Sequence, residues 1–398
     1  MYWLVVMLPE YDVVVVGGGP AGSMAAYEVA KLGGKVCLLE KDRDIGYPVR
    51  CGEAAGSSGI EEFFDIKRTW VAEKIQGVTL VSPNGKEVDV NFSSKTGYIL
   101  NRRIFDYDLS RYASNIGAEI YTKAYVKNLI IENNFVTGVK FDYLGEEKII
   151  KSKIVIGADG ISSRIGRWGG IKTNVKMKDM ESAIQYSVSN IDVKRNNMVM
   201  YVGEKYAPGG YLWIFPKGNR FANIGLGISG KHSRYKSAKN YLDEFMKKKF
   251  PNASLHTTMC GGVPCARPMR NPINNGLMLV GDAAHQINPL TGGGITSGMK
   301  GGSIAGKVAA DAIKTGDYSI DFLKTYSSIM WSSFGKNYER FYKIKDSIQG
   351  LTDNDINSIA QKVETIPLSK RTLSSVFKAT VFKKPSLIID VMKAFSGV

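Results

Sequence analysis

Residues 208–218 read PGGYLWIFPKG, with Tyr211, Trp213 and Phe215 alternating with Leu212 and Ile214. A strand sends successive side chains to opposite faces, so the three rings share one face and the two aliphatic chains the other. Pro208 and Pro216 close the two ends. Such a row is either part of a sheet buried on both faces or the wall of a site for an apolar ligand. A second group could bind phosphate. The apolar run YDVVVV ends in GGGPAG, a helical pattern follows, and the strand KVCLLE comes next. This is a β-α-β unit with Gly17, Gly19 and Gly22 at G-x-G-x-x-G spacing, and Pro20 and Ala21 within the motif. The first glycine permits the turn, the second lets backbone approach a pyrophosphate, and the third lets helix and strand pack closely. The helix N-terminus supplies free N–H groups and a positive dipole end. Glu40, followed by Lys41, ends the second strand where an acid would hold an adenosine ribose. The chemistry indicated is dinucleotide binding.

The elements that follow decide which dinucleotide. An NAD dehydrogenase would continue with β-α-β units, but residues 77–157 are rich in strand signals instead. GVTLVSPNGKEVDV predicts a hairpin turning at Asn84-Gly85, and residues 125–160 predict a β-meander returning to a buried strand. Much later, GLMLVGDAAHQINPLTGGGITSGMKGG presents a buried strand ending in Gly281-Asp282, a loop and a glycine-rich helix start. FAD is long enough to need this second contact: an acid grips the ribityl hydroxyls, and a helix N-terminus faces the electron-rich edge of the flavin. GGSIAG at 301–306 follows no strand and is read as close helix packing.

At 398 residues, 44% hydrophobic and 23% charged, the chain is an ordinary globular protein with room for two interleaved domains. Its net charge of +16 favours an acidic partner: anionic lipid, a phosphorylated substrate, an acidic redox protein or nucleic acid. No basic arm suggests nucleic acid. The start, MYWLVVMLPE, lacks a basic n-region and is too short to span a bilayer, so a cytoplasmic location is expected. Cys37, Cys51, Cys260 and Cys265 contain no Cys-x-x-Cys, which argues against zinc; no metal is expected. Cys260 and Cys265 are read as two thiols, with a disulfide as the alternative.

GGGPAG at 17–22, GADG at 157–160 and GDAAH at 281–285 together resemble the FAD-dependent superfamily that contains the aromatic hydroxylases. The resemblance implies an α/β fold: a glutathione-reductase-like FAD domain, with a Rossmann-type β-α-β unit, interrupted by an antiparallel-sheet substrate domain. The FAD domain is expected at 8–75, 97–180 and 270–345, the substrate domain at 76–96 and 181–269, and a helical C-terminal region at 346–398. Arg102 matches the arginine beneath the ribityl-phosphate region, and Val126 falls where backbone lies against adenine. Asp159 stands in the GADG signature. Gly281 and Asp282 match the ribityl grip, and Gly293, Gly294 and Ile295 match the turn facing the isoalloxazine carbonyl. Within that superfamily, Tyr-x-Trp-x-Phe-Pro and the loop PVRCGEAAG, with Arg50, Cys51, Gly52 and Ala54, are similar to the geranylgeranyl reductases. Archaeal digeranylgeranylglycerophospholipid reductases match best in overall plan. CGGVPCARP at 260–268 fits a segment of that family loosely.

The resemblance implies saturation of isoprenoid double bonds, with the aromatic row and its two prolines as the substrate wall. An unactivated alkene needs a proton on one carbon and a hydride on the other, with positive charge building between aromatic faces. Cys51, whose loop the resemblance places against the flavin, is the first choice as acid or as a flavin-positioning residue; Tyr211 is the second. Glu53 is expected to steady the loop and His285 to make a structural hydrogen bond. The alternatives are an NAD(P)H-dependent FAD monooxygenase and a flavin electron carrier. Ferredoxin or NAD(P)H would fit as electron donor. In the C-terminal stretch, Phe377, Phe382, Ile388, Ile389, Met392 and Phe395 fall largely on one side about Pro385, with lysines flanking them. That face either packs on the protein body or docks at the inner face of an anionic membrane.

Overall fold

The computed structural model describes residues 6–7, 9–92, 96–381 and 388–395. Phe382 and Pro385 lie outside the described residues, as does most of the N-terminal apolar run. Tyr11–Val16 forms the centre of the first sheet because five of its six residues are apolar and all but Asp12 are buried. Parallel strands Val36–Leu39 and Glu119–Tyr121 extend that sheet to one side. On the other side lies Glu146–Gly157, a strand with two partners. Its second half pairs in parallel with Tyr11–Val16, and its first half runs antiparallel to Phe135–Tyr143. Ala124–Glu132 completes the expected meander, and Leu277–Leu279 adds a parallel strand beside Val155–Gly157.

A seven-stranded sheet stands beside this layer. Its order is Ser254–Pro264, Met180–Ser189, Phe221–Ser229, Tyr211–Pro216, Asn197–Val202, Gly77–Val81 and Glu87–Asn91. The last two strands form the expected hairpin, with Gly85 at a φ of 87° in its turn. Leu212 and Ile214 pack into the core beneath helix Ala238–Lys249, with Leu242 among their partners. The aromatic side chains therefore occupy the opposite face. A three-stranded sheet of Ala54–Gly56, Gly97–Leu100 and Val71–Ile75 bridges the two larger ones.

Helices Pro20–Lys31 and Ile295–Thr315 cross at very short range, which is what GGSIAG provides. A Cβ on Gly302 would stand 2.0 Å from the Ala21 carbonyl oxygen, and one on Gly306 would stand 2.6 Å from that of Ala25. Both helix N-termini are thereby brought to the same side of the sheet. The C-terminal helices pack on the protein body. Val376 joins Ala360 and Val363 against Val78, Val88 and Val90, while Val391 packs on Phe341 and Ile344. Ile389 and Met392 remain exposed. Among the described residues, no helix is long and apolar enough to cross a membrane.

Gly302→Ala should separate these two helices and cost about 1–3 kcal/mol, the usual penalty for overpacking a tight contact. A lower thermal midpoint with reduced flavin content is expected; an unchanged midpoint would show that the helices can part freely.

Candidate active site

The first turn is built as its glycines require. Gly17 has a φ of 110°, and a Cβ there would lie 2.3 Å from the Ala158 carbonyl oxygen, so the first and second glycine signatures touch. A Cβ on Gly22 would overlap the Gly17 carbonyl oxygen at 1.9 Å, whereas one on Gly19 would meet nothing within 4 Å. Space is therefore left only where a pyrophosphate would approach. Helices Pro20–Lys31 and Ile295–Thr315 both begin without a side-chain cap, leaving first-turn N–H groups for an anion or a carbonyl.

A cleft of about 170 Å³ is lined by Gly18, Gly19, Glu40, Asp42, Arg50 and Arg102, among others. It shares Gly19, Arg50 and Arg102 with a mainly apolar cavity of about 1320 Å³. Glu40 accepts the Gly18 N–H at 2.7 Å and the Asp42 N–H at 2.8 Å, fixing its carboxylate at the cleft. Arg102 is held in a two-pronged ion pair with Asp106, at 2.6 and 2.7 Å. Pro20, Ala21, Gly281, Asp282, Gly293, Gly294 and Ile295 all line the cavity. The Asp282 carboxylate has no hydrogen-bond partner among the described residues and lies against Gly294, where a Cβ would be 3.1 Å from its Oδ1. Burial raises its pKa, with the Arg102 charge opposing. An open phosphate turn, an acid fixed at the cleft, an unpartnered acid and a second bare helix N-terminus are a set that fits FAD.

Cys51, Gly52 and Ala54 line the same cavity. Their loop is held through Glu53, a buried residue at a φ of 72°. Its Oε1 accepts the Arg102 N–H at 3.0 Å; its Oε2 accepts Lys217 at 2.5 Å and Asn223 at 2.6 Å. Glu53 thus steadies the loop by tying it to the aromatic strand's end. A second tie runs through Gln185, whose amide donates to the Cys51 carbonyl at 3.0 Å and accepts the Trp213 indole N–H at 3.0 Å. Gly52 lies under Phe215, where a Cβ would meet the ring at 2.9 Å. The Cys51 sulfur accepts the Glu53 N–H at 3.2 Å, and burial pushes its thiol pKa up against the opposing charge of Arg102.

Tyr211, Trp213 and Phe215 all face the cavity, with Trp213 and Phe215 stacked at 6.0 Å and 25°. The neighbouring strand makes room for them: a Cβ on Gly225 would meet the Trp213 ring at 2.5 Å. Met198, Met200 and Val202 flank the row on its other side, and Ile359, Leu373, Val376 and Phe377 of the C-terminal helices also line the cavity. Tyr211 donates its hydroxyl to the Thr291 carbonyl, and burial raises its pKa further. That hydrogen bond ties the aromatic strand to the Thr291 loop.

Several expected contacts lie elsewhere. Lys41 pairs with Asp42 at 3.3 Å and lines neither depression. Val126 lines neither depression and its side chain is buried with Leu39 and Phe141; the contact expected of it is through backbone, which this burial does not oppose. Asp159 caps helix Arg164–Trp168, accepting the Arg164 N–H at 2.6 Å. Pro208 and Pro216 bound the aromatic strand but are not on the cavity wall. His285 bonds the Thr173 carbonyl at 3.2 Å, the structural role expected of it. Cys260 is exposed and Cys265 buried, both as free thiols, so they do not pair. Gln185, Lys217 and Asn223 escaped the sequence reading. The Gly225-Leu226-Gly227 alternation was the available signal for a strand cleared on one face.

Fold and site define an FAD-dependent oxidoreductase, and residues 12–208 match the FAD dependent oxidoreductase family while 179–263 match the geranylgeranyl reductase catalytic domain. The chain belongs to the family of the digeranylgeranylglycerophospholipid reductases. It is 39% identical to that enzyme of Methanocella arvoryzae over 389 residues, covering 97% of this chain and 99% of the relative. It is 41% identical to digeranylgeranylglycerophospholipid reductase 1 of Methanococcoides burtonii over 404 residues, covering 98% and 99%. The crystal structure of a geranylgeranyl bacteriochlorophyll reductase-like protein from Thermoplasma acidophilum superposes with a TM-score of 0.91 at 34% identity, covering 98% of this chain and all of that one. Family membership decides against the monooxygenase and electron-carrier readings. A flavin-dependent brominase, 18% identical with a TM-score of 0.69, shares the fold alone.

Asp282→Ala should lose most of the flavin while keeping the fold, since a hydrogen bond to a charged acceptor is worth about 1.5–3 kcal/mol. The ratio of flavin to protein absorbance reads this directly, and full occupancy would remove Asp282 from the ribityl grip.

Proposed function

We propose that this enzyme saturates the double bonds of geranylgeranyl chains on a glycerophospholipid, holding each alkene between the aromatic row and the flavin. The observation that carries this reading is the double tie, through Glu53 and Gln185, between the Cys51 loop and the strand of Tyr211, Trp213 and Phe215. It fixes the flavin-side loop and the aromatic wall as one unit. When bound and reduced, FAD supplies a hydride. The chain's residues align the alkene, exclude water and offer ring faces to the positive charge that develops as the proton arrives. Flat, rigid rings beside Met198 and Met200 suit a long methyl-branched chain better than a compact aromatic substrate. The remaining length lies between the sheet and the C-terminal helices. The segments 8–75, 97–180 and 270–345 would then serve the cofactor, and 76–96 with 181–269 the lipid.

Of the two roles open to Cys51, positioning has the better support. Its carbonyl is held by the Gln185 amide, and burial weakens its thiol as an acid. The net charge of +16 favours an acidic protein such as ferredoxin as electron donor. A peripheral place on an anionic membrane is supported by exposed Ile389 and Met392 beside Lys393 on helix Ile388–Phe395.

Chemically reduced protein given digeranylgeranylglycerophospholipid without oxygen should convert it to products heavier by one hydrogen pair per flavin oxidised, measured by mass spectrometry; flavin left reduced beside unchanged lipid would defeat the reading. Cys51→Ser should retain turnover within about tenfold while shifting the flavin absorbance, whereas a loss of about 10²-fold or more with an unaltered spectrum would return the proton to the thiol. Ile389→Ser with Met392→Ser should weaken sedimentation with anionic vesicles, most visibly at low salt, and unchanged sedimentation would put the membrane contact elsewhere.

A further inference from the structure

Neither the flavin grip nor the Glu53 network uses Glu181, an ionisable group on the cavity wall. Its strand, Met180–Ser189, pairs with Phe221–Ser229 on one side and Ser254–Pro264 on the other. Glu181 stands two residues before Ala183, so both face the cavity. It is only 8% exposed, and its Oε2 is buried with no hydrogen-bond partner among the described residues. Glycines clear the space around it. A Cβ on Gly210 would lie 2.7 Å from that oxygen, and one on Gly227 would lie 3.4 Å away.

Nearby charges are already matched to one another. Lys345 donates to Asp179 Oδ1 at 2.9 Å and to the Cys265 carbonyl, while the Tyr342 hydroxyl donates to Asp179 Oδ2 at 3.1 Å. The groups facing Glu181 are therefore the Lys345–Asp179 pair, the Cys265 thiol, the Tyr211 hydroxyl and, farther along the same wall, His232. None supplies it with a hydrogen bond.

We infer that Glu181 is the acid that protonates the alkene, an assignment that rests on the reductase reading above. The alkene π pair takes the proton from the Glu181 carboxyl and becomes a C–H bond at the less substituted carbon. The O–H bond breaks and leaves a carboxylate. Reduced FAD, when bound, would supply the hydride that completes the tertiary carbon, leaving the alkene reduced and the flavin oxidised; a solvent proton then restores the carboxyl.

Burial pushes the Glu181 carboxyl up to about 7, with Lys345 pulling it down and Asp179 pushing it up. An acid poised near the working pH is both protonated and ready to give up its proton. The competing donors are worse placed: the Cys51 thiol is raised above its usual range, and the Tyr211 proton is committed to Thr291. The neutral form is the active one. Activity is therefore full below about pH 7 and falls as pH rises through it.

The test uses FAD-loaded, pre-reduced full-length protein with digeranylgeranylglycerophospholipid. Glu181→Gln should keep its flavin and fold but reduce the lipid on the order of 10²-fold more slowly or worse, and should lose the fall in rate near neutral pH. Glu181→Asp, which keeps an acid but disturbs packing more, should recover part of the rate. Independently of turnover, infrared difference spectra of wild type against Glu181→Gln should contain a neutral carboxyl signal that disappears as pH rises through about 7. Rates for Glu181→Gln within about threefold of wild type, or Glu181→Asp slower than Glu181→Gln, would overturn the assignment. So would the absence of that carboxyl signal. If wild-type protein itself leaves the lipid unchanged, the reductase reading fails instead.

Discussion

One buried carboxylate organises this molecule. Glu53 joins the start of helix Arg102–Asn115, the loop of Cys51 and the end of the aromatic strand through three hydrogen bonds, one of them an ion pair with Lys217. Lys217 and Glu53 are both nearly enclosed, with side chains 14% and 5% exposed. Removing either partner from such a pair typically costs about 3–5 kcal/mol, because the other charge is left buried and unpaired. Glu53 also holds a left-handed backbone conformation that a non-glycine residue adopts only when its surroundings fix it. The start of the Arg102 helix and the wall of the apolar cavity meet at this residue.

The cavity itself follows from where bulk is absent. Gly225 and Gly227 clear one strand so that the Trp213 ring and the Glu181 carboxyl can stand over it, and Gly52 lets the Cys51 loop lie against Phe215. Close packing elsewhere is equally dependent on glycine: Gly17 lies against Ala158, and Gly302 against Ala21, where two bare helix N-termini reach the same cavity. Interiors packed at this density leave space only where the backbone withholds a side chain. The resulting chamber is apolar along the sheet and the C-terminal helices, with polar groups where Arg102 and Asp282 line it and where Glu181, Cys265 and Lys345 do.

Local patterns were enough to read the β-α-β unit, the hairpin at Asn84-Gly85, the alternation in Tyr211–Pro216 and the helix contact at GGSIAG, because each depends on residues close in sequence. The ties that align the site were not legible. Glu53 and Lys217 are 164 residues apart, and Gln185 reaches Cys51 across 134. Such pairings depend on which strands become neighbours, and periodicity carries no information about that choice. Glu181 and Gln185 alternate with Ile184 and Tyr186, a pattern that reads as a solvated face until the Cys51 loop closes over Gln185 and the C-terminal helices close the cavity beyond. Those helices had a visible apolar side, but what that side covers, a cavity wall at Val376 and Phe377, depended on the tertiary fold.

The proposed reaction requires an isoprenoid chain to lie between the aromatic row and the C-terminal helices, with its alkene against the flavin. A geranylgeranyl lipid carrying a photoreactive group along one chain, irradiated with the FAD-loaded protein and mapped by peptide mass spectrometry, tests it most directly. Adducts are expected on Trp213, Phe215, Met198 or Met200 and on the facing Val376 or Phe377, and excess unlabelled lipid should suppress them. Labelling confined to the protein's outer surface, or unaffected by that competitor, would rule this placement out.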